Sequence, residues 1–139
     1  MKSVTKLFVY GSLRSGFRSA AYGYISRYFN FLGDAKVKGS LYDMGEYPAA
    51  VATVENNFVV GELYEIKDEE EFVWALAQLD DYEGLNVEIG EQALYKRELV
   101  TVYINDKTEQ GWIYWFAGPV EGKQIIASGD MLEYLHQKK

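Results

Sequence analysis

The feature that most constrains this chain is a set of glycines lodged inside strand-like runs. Ala35 to Met44 reads as a strand interrupted by Gly39, and Phe58 to Ile66 as another interrupted by Gly61. A glycine within a strand offers no side chain to pack and marks a bulge, a bend or a close backbone approach. Repeated in several strands, it fits a strongly curved sheet or a small barrel better than a flat sheet. Lys6 to Tyr10 and Ala49 to Val54 are further short strands. Tyr95 to Ile104 alternates, with Val100, Val102 and Ile104 on one face, and Asn105-Asp106-Lys107 is hairpin chemistry leading into Gln110 to Ala117. That pair is predicted to be antiparallel. Helical patterns are set among these strands, which gives an α+β class: a small mixed β-barrel with flanking helices.

The best-defined helix runs from Asp68 to Gly84. Asp68 can cap its start, Glu71 stands three positions later as in a capping box, and Phe72, Ala75, Leu76 and Leu79 form one apolar stripe. Glu83 falls on the same stripe, four residues past Leu79, and Gly84 is the stop signal. The spacing therefore predicts a carboxylate on the core-facing side of a helix C-terminus. Burial, the negative end of the helix dipole and the neighbouring Asp80 and Asp81 would all push its pKa upward. A carboxyl group near its titration point can both take and give a proton. The plainer alternative is a frayed helix end with Glu83 in water.

Elsewhere, Ser19 to about Tyr28 reads as a helix ended by Gly33, and Gly45-Glu46-Tyr47-Pro48 as a loop. Leu85 to Ala93 reads as a loop, Glu121-Gly122-Lys123 as a turn, and Ser128 to Gln137 as a short helix capped by Ser128 or Asp130. There is no internal repeat, linker or low-complexity stretch, so residues 1–139 are expected to form one domain.

Composition narrows the chemistry. The chain has no Cys, which removes disulfides, thiolate zinc sites and cysteine nucleophiles. Its one His, His136, stands near the end, which excludes a Ser-His-Asp triad and any two-His metal site. The acidic run Asp68 to Glu71 suits the first turn of a helix better than a metal. No metal and no cofactor are expected. A net charge of −7 argues against a nucleic-acid partner. No signal segment and no apolar run of membrane-spanning length is visible, so a cytoplasmic protein without a membrane partner is expected. Oligomeric state is not legible. What remains is a carboxyl group working with backbone donors. After the first strand, Gly11-Ser12-Leu13 followed by Arg14-Ser15-Gly16 marks a sharp turn whose N–H groups can hold a carboxylate or an oxyanion, although most such stretches are only turns.

At this point the residues match a family. Val9-Tyr10-Gly11-Ser12-Leu13-Arg14 with Gly16 resembles the VYG[ST]LR-x-G signature of the gamma-glutamylcyclotransferase-like (AIG2-like) family. Gly39 to Gly45 with Tyr47-Pro48, Gly61 to Glu65, Leu79 to Gly84, Tyr95 to Arg97, Trp112 to Tyr114 and Ser128 to Asp130 resemble its later motifs in order, along the whole chain. Two departures stand out. Met131 replaces a Trp, and Phe17-Arg18-Ser19-Ala20 stands where several relatives carry Asn or His, so substrate specificity does not carry over.

The resemblance implies a gamma-glutamylcyclotransferase-like fold with a cavity at one side of the barrel. It implies that Tyr10, Gly11, Ser12 and Leu13 grip a small-molecule γ-glutamyl substrate, and that Glu83 is the catalytic acid/base. The family reaction is an intramolecular aminolysis that gives 5-oxoproline and a free amine. Such a reaction suits the residues, because a base must first free the α-amine of its proton and an acid must return one to the leaving amine. Tyr42, Tyr95 and Tyr114 are candidates for the cavity wall, with ordinary core packing as the alternative for each. Arg97 is expected to pair with an internal carboxylate such as Glu62 or Glu83, or else to bind the substrate carboxylate. The second functional reading is a non-catalytic module of the same fold that binds a small amino-acid-like ligand.

Overall fold

A computed structural model of the chain describes residues 4–10, 25–44, 48–53, 57–83, 95–118, 120–126, 128–130 and 134, with the backbone alone for Pro48 and residues 80–83. The strands are β1 (Lys6–Val9), β2 (Phe29–Lys38), β3 (Ser40–Asp43), β4 (Pro48–Val51), β5 (Phe58–Ile66), β6 (Tyr95–Ile104), β7 (Lys107–Phe116) and β8 (Gln124–Ile125). A 3-10 turn at Glu69–Glu71 leads into helix α1 (Phe72–Glu83), and residues 25–28 are helical.

Five strands close into a barrel in the order β1-β5-β2-β6-β7, and β4-β3-β8 make a second, three-stranded sheet. The barrel is mixed: β1 runs parallel to β7, and its other pairings are antiparallel. The expected α+β barrel is therefore present. Its glycines do what internal glycines in curved sheets do. A Cβ on Gly61 would lie 2.1 Å from the Val9 carbonyl oxygen, so β1 and β5 approach each other only because that atom is missing. Gly39 separates β2 from β3 and lets the chain leave the barrel for the second sheet.

Two local readings are corrected. Gly33 does not end a helical region, because β2 already begins at Phe29. The glycine instead accommodates a register shift between Phe31 and Gly33 with φ at 152°. The tail supplies a strand, β8, that its short polar-flanked sequence does not announce. The hairpin between β6 and β7 turns on Asn105 and Asp106, at φ 50° and 62°. That is the positive-φ pair a two-residue turn between right-twisted strands demands.

Apolar side chains gather in two clusters. One draws on every barrel strand, with Phe8, Val37, Val59, Leu63, Val102, Ile113 and Trp115 among its members, and so fills the barrel interior. The other joins Leu7, Val9, Tyr64, Ile66 and Tyr114 to Phe72, Ala75, Leu76 and Leu79 of α1. It lies outside the barrel, where the helix covers the outer face. All four residues of the expected helical stripe are buried. Asp68 caps as expected, its carboxylate accepting from the Glu70 N–H at 3.0 Å. Among the described residues no helix is long and apolar enough to cross a membrane.

Candidate active site

The site is built on the outer face of the barrel, and strand register decides who meets whom. Val9 stands opposite Glu62, and Tyr114 opposite Arg97. Leu7 pairs with Trp112 in the parallel β1–β7 contact, which sets Val9 alongside Tyr114 two residues on. One row, Glu62–Val9–Tyr114–Arg97, thus crosses four adjacent strands, a width of about 14 Å at normal strand spacing. Tyr95 faces Phe116 in the next row, with ring centroids 5.6 Å apart. From Val9 the chain passes through Tyr10 into Gly11-Ser12-Leu13, and these three residues lie outside the described residues.

Helix α1 covers this face. Leu79 belongs to the same apolar cluster as Val9 and Tyr114, so the helix and the end of the first strand share one core. Glu83 is the last helical residue, one turn and about 6 Å of axis beyond Leu79. Its side chain lies outside the described residues.

The other expected wall residues differ in setting. Tyr114 is 3% exposed in the outer cluster, and Tyr95 packs against that cluster. Tyr10 points inward. It belongs to the interior cluster and its hydroxyl donates to the Tyr114 carbonyl, which ties the end of β1 to β7. Tyr42 is on β3, paired with Ala49 and Ile125 in the second sheet, and neither apolar cluster includes it. The register brings Tyr95, Tyr114 and Val9 onto one face and leaves Tyr42 on another sheet. The Arg97 guanidinium lies over the Trp112 ring at 4.8 Å.

One residue of this face was noticed in the sequence only as a possible partner for Arg97. Glu62 is 4% exposed and is the buried charged side chain among the described residues. The Tyr64 hydroxyl donates to its Oε1 at 2.7 Å. The signal available in the sequence is a carboxylate inside the run Val59 to Tyr64, whose other residues are Val, Gly, Leu and Tyr.

Among the described residues, no group of three or more His, Cys, Asp or Glu side chains gathers as a metal site would require. Two described clefts lie elsewhere. One of about 530 Å³ is lined by Asp34, Lys36, Tyr103 and the Asn105–Asp106 turn, and one of about 440 Å³ by Thr5, Lys6, Glu65 and Glu109. Neither is lined by Tyr10, Tyr42, Tyr95 or Tyr114, the described residues expected in the site from the sequence.

Comparison with known proteins agrees with this architecture. A family model described as "Gamma-glutamyl cyclotransferase, AIG2-like" matches residues 7–133. The chain is 34% identical over 131 residues to the gamma-glutamylcyclotransferase family protein YtfP of Escherichia coli (strain K12), covering 92% of this chain and 96% of that protein. The solution structure of ytfP from Escherichia coli superposes with a TM-score of 0.62 at 32% identity, over 93% of this chain and 97% of that one. The crystal structure of YkqA from Bacillus subtilis superposes with a TM-score of 0.71 at 25% identity over 99% of this chain, which spans 44% of the length of YkqA.

Proposed function

The chain belongs to the gamma-glutamyl cyclotransferase, AIG2-like family, and from that premise we propose that it cyclises the γ-glutamyl group of a γ-glutamyl amine or amino acid to 5-oxoproline. Glu83 serves as general acid and base. The Glu83 carboxylate takes a proton from the substrate α-ammonium. The freed amine attacks the side-chain amide carbonyl of the same molecule and forms the ring C–N bond. The tetrahedral intermediate carries an oxyanion, which the backbone N–H groups of Gly11 to Leu13 are suited to stabilise. Collapse breaks the original amide C–N bond as Glu83 returns its proton to the leaving nitrogen, and the second proton of the attacking nitrogen passes to the released amine, which departs as its ammonium and leaves the neutral lactam and an ionised Glu83. Because nucleophile and electrophile belong to one molecule, a site that folds the substrate back on itself removes much of the entropic barrier.

The observation that carries this reading is the common cluster of Leu79, Val9 and Tyr114. It supports a helix end bearing Glu83 and a strand end leading into Gly11-Ser12-Leu13 converging over one face. The test is 5-oxoproline release from a panel of γ-glutamyl amines and amino acids. At least one member should be turned over, and Glu83→Gln should slow it by about 10²–10⁴-fold with little change in thermal midpoint. Equal turnover by the parent and variant chains removes Glu83 from the chemistry. Binding of γ-glutamyl compounds without any turnover by the parent chain points to a non-catalytic binding module.

A further inference from the structure

We propose that the cleft between β2 and the β6–β7 turn is a binding site for a free α-amino acid with an apolar side chain, separate from the face that α1 covers. The cleft follows from how the barrel closes. Among the described residues β2 and β6 are registered at one pair, Lys36 opposite Tyr103, whereas β6 and β7 pair along their whole length. Past that pair, β2 shifts register between Phe31 and Gly33, and β6 ends at Ile104 in the Asn105–Asp106 turn. The seam leaves a hollow of about 530 Å³, a size that falls within the range of small-molecule sites.

The charges around the hollow are of both signs. Asp34 and Lys36 stand on the outward side of β2, since Ala35 and Val37 belong to the interior cluster. Asp106 and Lys107 come from the turn. Two carboxylates and two ammoniums thus share one wall and sum to zero, although the whole chain carries −7. Among the described residues none of the four side chains joins an ion pair or a hydrogen bond. Lys36 instead lies over the Phe58 ring, its Nζ 4.6 Å from the centroid. The four charges are therefore left to attract a ligand. A metal ion does not suit them, because the lysines repel it and no group of three or more His, Cys, Asp or Glu gathers among the described residues. A polyanion meets the two carboxylates. A zwitterion satisfies both signs. Its ammonium brings three donors to Asp34 and Asp106, and its carboxylate accepts from Lys107 and Lys36. Val60 and the ring of Tyr103, set edge-on to Phe58 with centroids 5.7 Å apart, give its side chain an apolar wall. The charged groups are exposed, so each contact is weak and the expected affinity is low.

The test uses L-leucine and two singly charged counterparts of the same shape: 3-methylbutylamine, which lacks the carboxylate, and 4-methylpentanoate, which lacks the ammonium. Binding is followed at low salt by backbone amide shifts of the isotope-labelled chain. L-Leucine should saturate with a dissociation constant of about 1–10 mM and move the amides of Asp34, Tyr103 and Asp106, and each counterpart should bind about 10-fold more weakly. Asp34→Asn with Asp106→Asn should weaken L-leucine by about 10-fold and leave 4-methylpentanoate no weaker than in the parent chain. Lys107→Gln should weaken L-leucine by a smaller factor and leave 3-methylbutylamine no weaker. All three positions are exposed, so these variants are expected to fold as the parent does. No saturable shift up to about 50 mM L-leucine overturns the proposal. So does equal binding of the three compounds, or an affinity that neither set of variants alters. Glu83→Gln separates this site from the cyclotransferase reading. That chain should bind L-leucine as the parent does. If its affinity falls while the Asp34 and Asp106 variants leave it intact, L-leucine occupies the catalytic face and the proposal falls without touching that reading.

Discussion

The two faces of the barrel wall are built from the same strands and do different work. The interior is lined by Phe8, Val37, Val59, Leu63, Val102 and Ile113, and the one hydroxyl placed there from the start of the site, on Tyr10, bonds to the Tyr114 carbonyl and holds two strands together. The outer face beneath α1 alternates with it residue by residue, yet carries Glu62, Tyr64, Tyr114 and Arg97 among its apolar contacts. The interior is filled by apolar side chains, with that one hydrogen bond tying the end of β1 to β7. The outer face is closed by a separate element, a helix, so polar groups there can be enclosed and still face a common space. In a small barrel the inside is full of side chains, and chemistry has to be placed where a second element can cover it.

Several substitutions would break or sharpen this contrast. The largest effect on stability is expected from Gly61→Ala. The new methyl would collide with the Val9 backbone at 2.1 Å and with the Phe8 ring at 2.6 Å, and backbone atoms yield least. A loss of about 3 kcal/mol or more is expected by denaturant unfolding. A loss below about 1 kcal/mol would show that β1 and β5 are free to part, and that closure does not depend on this glycine.

Next come two truncations that should cost similar stability but differ in function. Ile113→Ala, in the interior, and Leu79→Ala, under the helix, each empty a fully packed position and should lose about 2–5 kcal/mol. Measured at a temperature where both variants are folded, Ile113→Ala should retain most of the parent's kcat/KM for 5-oxoproline release. Leu79→Ala should lower kcat/KM, because it loosens the turn that precedes Glu83. Equal kinetic losses would erase the distinction between the faces. The smallest effect is expected at the far end of the helix. Asp68→Ala removes the hydrogen bond to the Glu70 N–H and should cost about 0.5–2 kcal/mol with no change in kcat/KM.

Much of this was legible in the residues themselves. The stripe Phe72, Ala75, Leu76, Leu79 and the turn at Asn105-Asp106 are local patterns whose physics is complete within a dozen residues. So are the bounds of β5, read as Phe58 to Ile66 and found there. Gly33 was misread because a glycine that stops a helix and a glycine that absorbs a bulge look alike until the partner strand supplies its register. β8 was missed because two residues, Gln124 and Ile125, form a strand only when β3 offers them an edge. For the candidate site, the sequence put Glu83 at the end of its helix, and Tyr95 and Tyr114 on strands that pair. It also grouped Tyr42 with them, whereas β3 belongs to another sheet.

By itself, then, the sequence determined the family, the helix with its apolar stripe, the hairpin, and a barrel-like curvature marked by internal glycines. Only the tertiary structure decided which side of each strand is the site. Residues 61–64 of β5 are all buried, one parity inside the barrel and the other beneath α1, so alternation along the chain carries no label for either face. The label comes from closure. Once β7 meets β1 and the helix lies over the outside, Glu62, Val9, Tyr114 and Arg97 fall into one row, and a glutamate inside the run Val59 to Tyr64 becomes a buried charge with a neighbour to hold it.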